Sequence, residues 1–470
     1  MKAGSPATPR WRYLSVCCVL IGLAGVLMGR LVMLQVTEEG QGAGFLREQG
    51  AMRTVRTAEI PVYRGLIEDR HGTPLAISSP VVSLWANPQQ LKDSPRLAEL
   101  AALLGVDAAE LKDKLALYGN KHFMYLARHQ APDFARQILQ EAFPGVRGER
   151  AYRRYYPAGE VTAQVLGLTN VDGEGIAGIE LAFEQWLQGI PGKKRFIKDL
   201  HGEAVRDFGL ITKPRPGKAL SLSLDLRLQY VQHRELQRAM KETGAVAGSA
   251  ITVDAWTGEI LAVSNYPVFN PNNREAFDYS AARNRALTDV YEPGSTIKTL
   301  TLIAALESGQ FTIDSLVNTA PGRIRVGGKV LHDPRNYGEI SVSKIIEKSS
   351  QVGVTKLAQA VGHEAVLEVL LRFGFGTQTG TGFPGERAGS LPSMMHWSEI
   401  EKVTLAFGYG LNATPIQLAQ AYSILANGGV RQPLTLLKQD RETLPVGTRV
   451  VDAQVAQDVL QVLGRVTSSG

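Results

Sequence analysis

Two Ser-x-x-Lys tetrads are the clearest candidates for chemistry in this chain of 470 residues. The first runs from Ser295 to Lys298 and the second from Ser341 to Lys344. A lysine one helical turn after a serine lies on the same face, so its amine can take the hydroxyl proton if burial keeps it neutral. The tetrad alone is a weak pattern. The residues around each tetrad must therefore decide which of the two is the better candidate for a catalytic site.

The residues around Ser295 favour the first tetrad. Glu292-Pro293-Gly294 breaks the chain before it, and the apolar stretch 296–308 predicts a buried helix after it. A serine at a helix start lies beside free backbone N–H groups that can stabilise an oxyanion. The structural alternative is a helix-capping Ser295 and a solvated Lys298. Nothing around Ser341 forms a site, so Ser341 is interpreted as a purely structural serine.

The second half of the chain predicts the elements that must support these side chains. Two apolar strands, 247–254 and 259–265, flank the turn Ala255–Gly258 and predict a β-hairpin. Apolar helices are predicted at 296–308, 341–349, 353–361, 364–373, 399–406, 415–427 and 451–466.

The first half of the chain has a different pattern of residues. Alternating β-branched residues and turns run from about 53 to 87, and the Leu spacing within 89–142 predicts short helices. Pro214-Arg215-Pro216-Gly217 is typical of a linker, and a domain boundary is predicted there. The chain is therefore expected to be a multidomain α+β protein, in line with its length.

An apolar stretch near the N-terminus predicts a membrane anchor. From Tyr13 to Val36 only Arg30 is charged, and a helix of this length spans about 36 Å, enough to cross a bilayer. Basic residues precede the stretch and acidic residues follow it, namely Lys2, Arg10 and Arg12 before and Glu38 and Glu39 after. The positive-inside rule then places the N-terminus in the cytoplasm and the bulk of the chain outside.

Three other structures could contain such a stretch. A cleaved signal peptide would need a small-residue cleavage site, and no convincing one follows. A buried core helix disagrees with the length and the flanking charges. The lipoprotein-like Leu14–Cys17 has too short an apolar stretch before it. A single uncleaved anchor is predicted.

Charge and cysteine usage exclude several classes of function. The net charge of +6 is spread along the chain without a basic run, so no nucleic-acid partner is expected. The two cysteines, Cys17 and Cys18, are adjacent and cannot cross-link separate elements. No metal-ligand spacing occurs, and no metal or organic cofactor is predicted.

The segment 292–298, Glu-Pro-Gly-Ser-Thr-Ile-Lys, resembles the nucleophile motif of the class B penicillin-binding proteins. That family carries Ser-x-x-Lys, Ser-x-Asn and Lys-Thr-Gly motifs, and Lys348–Gly353 stands where the second is expected. Further matches are Arg64–Ala76, Gly178–Glu180, Gly382–Glu386 and Phe407–Gly410. The set covers about residues 50 to 470. Its nucleophile block and Gly-Phe-Pro-Gly-Glu stretch are more similar to the division-specific peptidoglycan D,D-transpeptidases than to the elongation ones.

The resemblance implies roles for four residues. Ser295 would attack the penultimate D-Ala of a stem peptide, Lys298 would move protons with help from Ser349, and Gln351 would contact the substrate. The implied partners are peptidoglycan stem peptides on lipid-linked precursor strands, β-lactams, and membrane division proteins including a glycosyltransferase. The implied location is the inner membrane, with one pass and a periplasmic bulk.

The resemblance also implies a domain order. A cytoplasmic tail (1–12) and a transmembrane anchor (13–36) would precede a pedestal of the dimerisation type (37–220). A transpeptidase domain of helices on an antiparallel sheet would occupy 221–470.

Two departures from the family pattern qualify these expectations. Gln351 stands where the family has asparagine, and no Lys-Thr-Gly or Lys-Ser-Gly follows Ser295 before the chain stops at Gly470. The chain is therefore expected to be C-terminally truncated, to lack the last strands of its sheet, and to lose activity. A non-catalytic, membrane-anchored division scaffold is the alternative. A β-lactamase or β-lactam sensor is disfavoured because those proteins lack such a pedestal.

Overall fold

The computed structural model describes residues 10–36, 55–198, 204–273, 278, 280–392 and 397–469. Most of the predicted tail (1–9) and the first part of the predicted pedestal (37–54) lie outside the described residues. The chain divides into two units, one formed by 1–62 with 190–215 and the other by 63–189 with 216–470.

The strands are numbered in chain order. They are β1 (Val55–Ile60), β2 (Ile67–Glu68), β3 (Pro74–Ala86), β4 (Met124–Gln130), β5 (Val146–Tyr155), β6 (Gly192–Lys198), β7 (Ala204–Thr212), β8 (Leu220–Ser221), β9 (Gly248–Val253), β10 (Ile260–Tyr266), β11 (Leu316–Asn318), β12 (Arg323–Val326), β13 (Lys329–His332), β14 (Glu339–Ser341), β15 (Val430–Arg431) and β16 (Thr448–Arg449).

The α-helices are numbered in the same way. They are α1 (Arg10–Val36), α2 (Pro88–Leu91), α3 (Leu97–Leu104), α4 (Ala108–Leu117), α5 (Pro132–Gln140), α6 (Ala163–Leu166), α7 (Gly178–Ala182), α8 (Glu184–Leu187), α9 (Leu226–Thr243), α10 (Arg285–Thr288), α11 (Lys298–Glu307), α12 (Val342–Glu347), α13 (Gln351–Val361), α14 (His363–Arg372), α15 (Glu399–Thr404), α16 (Pro415–Ala426) and α17 (Ala453–Ser469).

The smaller unit contains the apolar helix and a three-stranded antiparallel sheet in the order β1-β6-β7. Within α1, the segment Arg10–Gln35 is long and apolar enough to cross a membrane. The helix begins at Arg10, slightly before the predicted start at Tyr13. Between Tyr13 and Gly29 its side chains are uncharged and mostly apolar on all sides, as expected for a helix surrounded by lipid rather than lying against one protein face.

The first sheet of the larger unit is built around the long strand β3. The strand order is β4-β3-β2-β8, and β5 pairs with β3 from Ile77 to Ala86. Because alternate residues point to opposite faces, Leu84 and Ala86 both enter a core lined by α2 to α5. The prediction of short helices over 89–142 is wrong at β4, where pairing with β3 outweighs the local helical pattern.

A buried ion cluster joins two sequence motifs of the first half to strand β5. The Glu180 carboxylate, which is 0% exposed, receives Arg64 Nε at 2.5 Å and Arg154 Nε at 2.6 Å. Arg64 also contacts the Glu184 carboxylate at 2.7 Å, and Arg154 donates to the Gly65 carbonyl at 2.8 Å. Since buried charges must be paired, this cluster fixes β5 and α7 relative to the segment before β2.

The second half of the larger unit packs helices around α11. Its core joins apolar side chains of α11 to those of α12, α13, α14, α16 and α17. The predicted hairpin is confirmed as the antiparallel pair β9–β10, whose side chains pack in a second cluster with Leu222 and Leu434. The predicted α+β class is confirmed, and the predicted helices from 341 to 466 are present with shifts of a few residues at their ends.

Candidate active site

The first tetrad lies in a tight turn that leads into a deeply buried helix. Residues Gly294–Ile297 form a 3-10 helix, and α11 begins only at Lys298. The predicted start of the α-helix at 296 is therefore wrong by two residues. Ser295 is exposed in this turn, whereas every residue from Lys298 to Ala305 is buried. The turn thus leaves Ser295 exposed to solvent. The buried helix α11 fixes the turn itself against the core.

A second turn, Phe407–Gly410, fixes the position of the first. The Gly294 N–H donates to the Gly408 carbonyl at 3.0 Å, and the Gly410 N–H donates to the Glu292 carboxylate at 2.9 Å. A Cβ on Gly408 would lie 2.0 Å from the Gly294 carbonyl oxygen, so only glycine fits there. The sequence match at 407–410 therefore has a structural reason.

Lys298 points its amine at the segment before α13. Its Nζ donates to the Ser349 carbonyl at 2.5 Å and to the Ser349 hydroxyl at 2.9 Å, and the residue is only 3% exposed. Burial lowers the pKa of Lys298 to about 8, against the opposing effect of the Asp333 carboxylate. A lysine of this pKa in contact with a hydroxyl can take up and release a proton near neutral pH.

Ser349 adopts a conformation that is rare for a residue with a side chain. Its φ of +51° lies in the left-handed region, which costs free energy for any residue except glycine. Such strained positions persist where the surrounding contacts fix them, and they are frequent at functional sites. Here the two hydrogen bonds from Lys298 and the Ser349 N–H bond to Ile346 hold the turn.

A buried carboxylate anchors the next residue of the same turn. The Ser350 hydroxyl donates to Asp333 Oδ2 at 2.6 Å and accepts from the Gly353 N–H at 2.8 Å, so Ser350 is the N-cap of α13. The Val352 N–H donates to Asp333 Oδ1 at 3.1 Å. Asp333 was not among the predicted site residues, because nothing in its local sequence signals a partner so far along the chain.

The other two predicted site residues have free functional groups. Neither the Ser295 hydroxyl nor the Gln351 side-chain amide hydrogen-bonds to another residue in the part of the chain that the structure describes. Gln351 is half-buried at the first position of α13, directly after the turn that contacts Lys298. The structure thus brings Lys298 and Ser349 into contact and leaves Ser295 and Gln351 able to bind a ligand.

The second tetrad has a different environment. The Ser341 hydroxyl accepts from the Lys344 N–H at 3.1 Å and caps α12, while Lys344 Nζ pairs with the Glu347 carboxylate at 2.5 Å. Lys344 thus forms an ion pair, and Ser341 caps a helix. This arrangement offers no neutral base beside a free hydroxyl.

Tyr422 is a further contact that sequence reasoning missed. Its hydroxyl, on α16, donates to the Thr296 carbonyl at 2.9 Å and lies 3.1 Å from the Thr299 hydroxyl. It therefore supports the turn directly after Ser295. A tyrosine within an apolar helix resembles any other core residue in sequence, so no local signal could have identified it.

Comparison with known families gives two matches. Residues 248–470 match the penicillin binding protein transpeptidase domain, and residues 59–222 match the penicillin-binding protein dimerisation domain. Both tetrads, Ser349 and Gln351 fall within the first match, and the Arg64–Glu180–Arg154 cluster falls within the second.

Curated relatives align along nearly the whole chain. The peptidoglycan D,D-transpeptidase FtsI of Escherichia coli K12 is 39% identical over 468 residues, covering 98% of this chain and 78% of the relative. The probable peptidoglycan D,D-transpeptidase PbpC of Pseudomonas aeruginosa is 38% identical over 457 residues, covering 96% and 79%.

Solved structures show the same fold. Penicillin binding protein 3 of Mycobacterium tuberculosis, complexed with aztreonam, has a TM-score of 0.65 at 29% identity, covering 86% of this chain and 75% of that one. A peptidoglycan synthetase from Bifidobacterium adolescentis has a TM-score of 0.69 at 25% identity, covering 88% and 82%. With its dimerisation and transpeptidase domains, the chain belongs to the class B penicillin-binding proteins.

Proposed function

We propose that this protein is a membrane-anchored peptidoglycan D,D-transpeptidase of cell division, with Ser295 as its nucleophile. The observation that carries the assignment is the contact between Lys298 Nζ and the Ser349 hydroxyl beside the exposed Ser295. The match to the transpeptidase domain and the identity with division-type transpeptidases support the same reaction.

In the first half-reaction, Ser295 Oγ attacks the carbonyl carbon of the penultimate D-Ala of a stem peptide. A C–O bond forms, the peptide C–N bond breaks, and the last D-Ala leaves with its amine. Lys298, in its neutral form, takes the Ser295 proton, and Ser349 helps to pass it to the leaving amine. The pKa of about 8 leaves roughly a tenth of Lys298 neutral at pH 7.

In the second half-reaction, an amine from a neighbouring stem attacks the ester. The new C–N bond forms, the bond to Ser295 Oγ breaks, and the amine proton returns to Ser295 through Lys298. The amide of Gln351 hydrogen-bonds the donor peptide, in the role that asparagine has in the family motif. A β-lactam acylates Ser295 in the same way, because its strained amide mimics the donor.

The anchor and the dimerisation region define where the enzyme works. The N-terminus lies in the cytoplasm and the bulk in the periplasm, since the basic residues precede α1 and the acidic residues follow it. Residues 37–220 form the pedestal on which division proteins, including a glycosyltransferase, dock, and residues 221–470 belong to the transpeptidase domain. A reporter fused after residue 220 should be active only as an exported protein; activity in the cytoplasm would contradict this orientation.

Labelling with a fluorescent penicillin tests the nucleophile. In the full-length protein, Ser295→Ala should abolish the label, whereas Ser341→Ala should retain it. The two serines begin the same tetrad, so the pair of variants is matched in chemistry and differs only in surroundings. Loss of label in Ser341→Ala with retention in Ser295→Ala would refute the assignment.

A further inference from the structure

The hairpin β12–β13 lies outside the site described above and has a one-sided charge. From residue 315 to 338 there are four Lys and Arg side chains, one histidine and a single acidic residue, with Asp314 and Glu339 directly outside the stretch. The basic residues are Arg323, Arg325, Lys329 and Arg335, and the histidine is His332. The acidic residue is Asp333, which is buried and bonded to Ser350, so it does not neutralise the surface.

The register of the hairpin places two arginines and a histidine on one face. Arg323 pairs with His332 and Arg325 pairs with Val330, and residues that are directly opposite share a face of the sheet. All four side chains are exposed. The opposite face is the one that packs on the protein, because Leu331 contacts the core around α11. Arg323, Arg325 and His332 are here called the cationic face.

The cationic face has no counter-charge within the described residues. The side chains of Arg323, Arg325 and His332 make no ion pair and no hydrogen bond within those residues. Glu399 lies beside the hairpin tip, but its carboxylate bonds Lys402 Nζ at 2.8 Å. Cations clustered without acidic neighbours raise the local potential, which attracts an anionic ligand and accelerates its association.

This face is joined rigidly to the candidate active site. His332 is followed directly by Asp333, whose carboxylate holds Ser350 and the first turn of α13. The Asp333 N–H donates to the Gly322 carbonyl at 3.0 Å and so continues the hairpin ladder. The cationic face and the turn that contacts Lys298 therefore belong to one hydrogen-bonded unit.

We propose that the cationic face binds the terminal carboxylate of the acceptor stem peptide during cross-linking, an inference that rests on the proposed function. Both stems end in a carboxylate. The donor's end must lie at Ser295, where its last residue leaves, so the cationic face, which lies outside that site, is assigned to the carboxylate of the acceptor. Two arginines suit this task because the guanidinium fork matches a carboxylate.

A pair of acceptor peptides tests the inference on the full-length protein. After acylation by a small thioester donor, the enzyme is offered a peptide amine with either a free C-terminal carboxylate or a C-terminal amide. The measured quantity is the ratio of aminolysis rates for the two acceptors, which cancels any change in acylation. At low ionic strength the wild type should favour the carboxylate form about fivefold, and added salt should reduce the ratio.

The variant Arg323→Gln/Arg325→Gln should bring this ratio close to one. The matched control is Lys112→Gln/Lys114→Gln, which removes two exposed cations from α4 and should keep the wild-type ratio. An unchanged ratio in the arginine variant, or an equal fall in the control, overturns the inference. Absence of any acyl-enzyme in the wild type refutes the proposed function instead, and the inference falls with it.

Discussion

Asp333 and Ser350 share a 2.6 Å hydrogen bond between the carboxylate and the hydroxyl at the start of α13. The same carboxylate accepts from the Val352 N–H and raises the pKa of Lys298 against the effect of burial. The Asp333 side chain therefore both stabilises the start of α13 and raises the pKa of Lys298. This dual contact leads to the first prediction.

Replacing Asp333 by asparagine should lower the penicillin acylation rate about tenfold, since a charged acceptor is lost from a buried turn. It should also lower the pKa of Lys298 further, because the carboxylate that raises it is gone. The pH at which acylation reaches half its maximum should therefore fall. Stopped-flow acylation across pH measures both effects. Asp314→Asn, at an exposed position in the same segment, is the control, and an upward shift in Asp333→Asn would contradict the prediction.

The acylation rate of the full-length protein should depend on pH through Lys298. The neutral amine is the active form, so the rate should rise about tenfold per pH unit well below the pKa and level off above about 8. Lys298→Arg should be inactive over the whole range, because a guanidinium does not lose its proton. A rate that falls between pH 6 and 8 would exclude a neutral lysine as the base.

In the full-length protein, Gln351→Asn should raise the acylation rate up to about tenfold, the effect of correcting one misplaced hydrogen bond worth about 1 kcal/mol. The substitution should cost no stability, since the Gln351 amide bonds no other described residue. Gln351→Ala, which removes the amide altogether, should lower the rate. The measurement is the second-order rate constant for penicillin acylation, and equal rates for the wild type and the Gln351→Asn variant would indicate that the backbone of α13 already compensates.

Glu180→Gln should destabilise the dimerisation region by about 3–5 kcal/mol, because two buried guanidinium groups lose their shared counter-charge. Glu184→Gln is the comparison, since Glu184 is 25% exposed, forms an ion pair with Arg64 alone among the described residues, and otherwise accepts the Gly175 N–H. Its effect should be about 1 kcal/mol or less. Hydrogen exchange of the β3 and β5 amides reports the local free energy of opening. Equal effects of the two substitutions would show that the burial of Glu180 does not determine the loss of stability.

Much of the support for the site could be predicted because its signals are local. The hairpin β9–β10 follows from two apolar runs around Trp256-Thr257-Gly258, and α17 follows from apolar residues at helical spacing. The 3-10 geometry around Ser295 could not be predicted, since it depends on the hydrogen bond between Gly294 and Gly408, far apart in sequence.

The other contacts between residues far apart in sequence could not be predicted for the same reason. The left-handed backbone of Ser349 is held by Lys298, and Ser350 is held by Asp333, and no periodicity encodes either pairing. The motifs at Arg64 and Glu180 can each be recognised in the sequence. Only the fold shows that they form one buried ion cluster.

The glycine contact at the nucleophile turn limits how this enzyme can evolve. With 2.0 Å between a Cβ at Gly408 and the Gly294 oxygen, no single substitution at 408 leaves the turn in place. Gly294 itself has a φ of +61°, which disfavours any side chain there. Mutations that reduce β-lactam binding are therefore expected to leave Gly294 and Gly408 unchanged, whereas Tyr409 in the same turn, which is 47% exposed, is free of this constraint. Substitutions at Gly294 and Gly408 are thus expected to be absent from variants that become resistant to β-lactams.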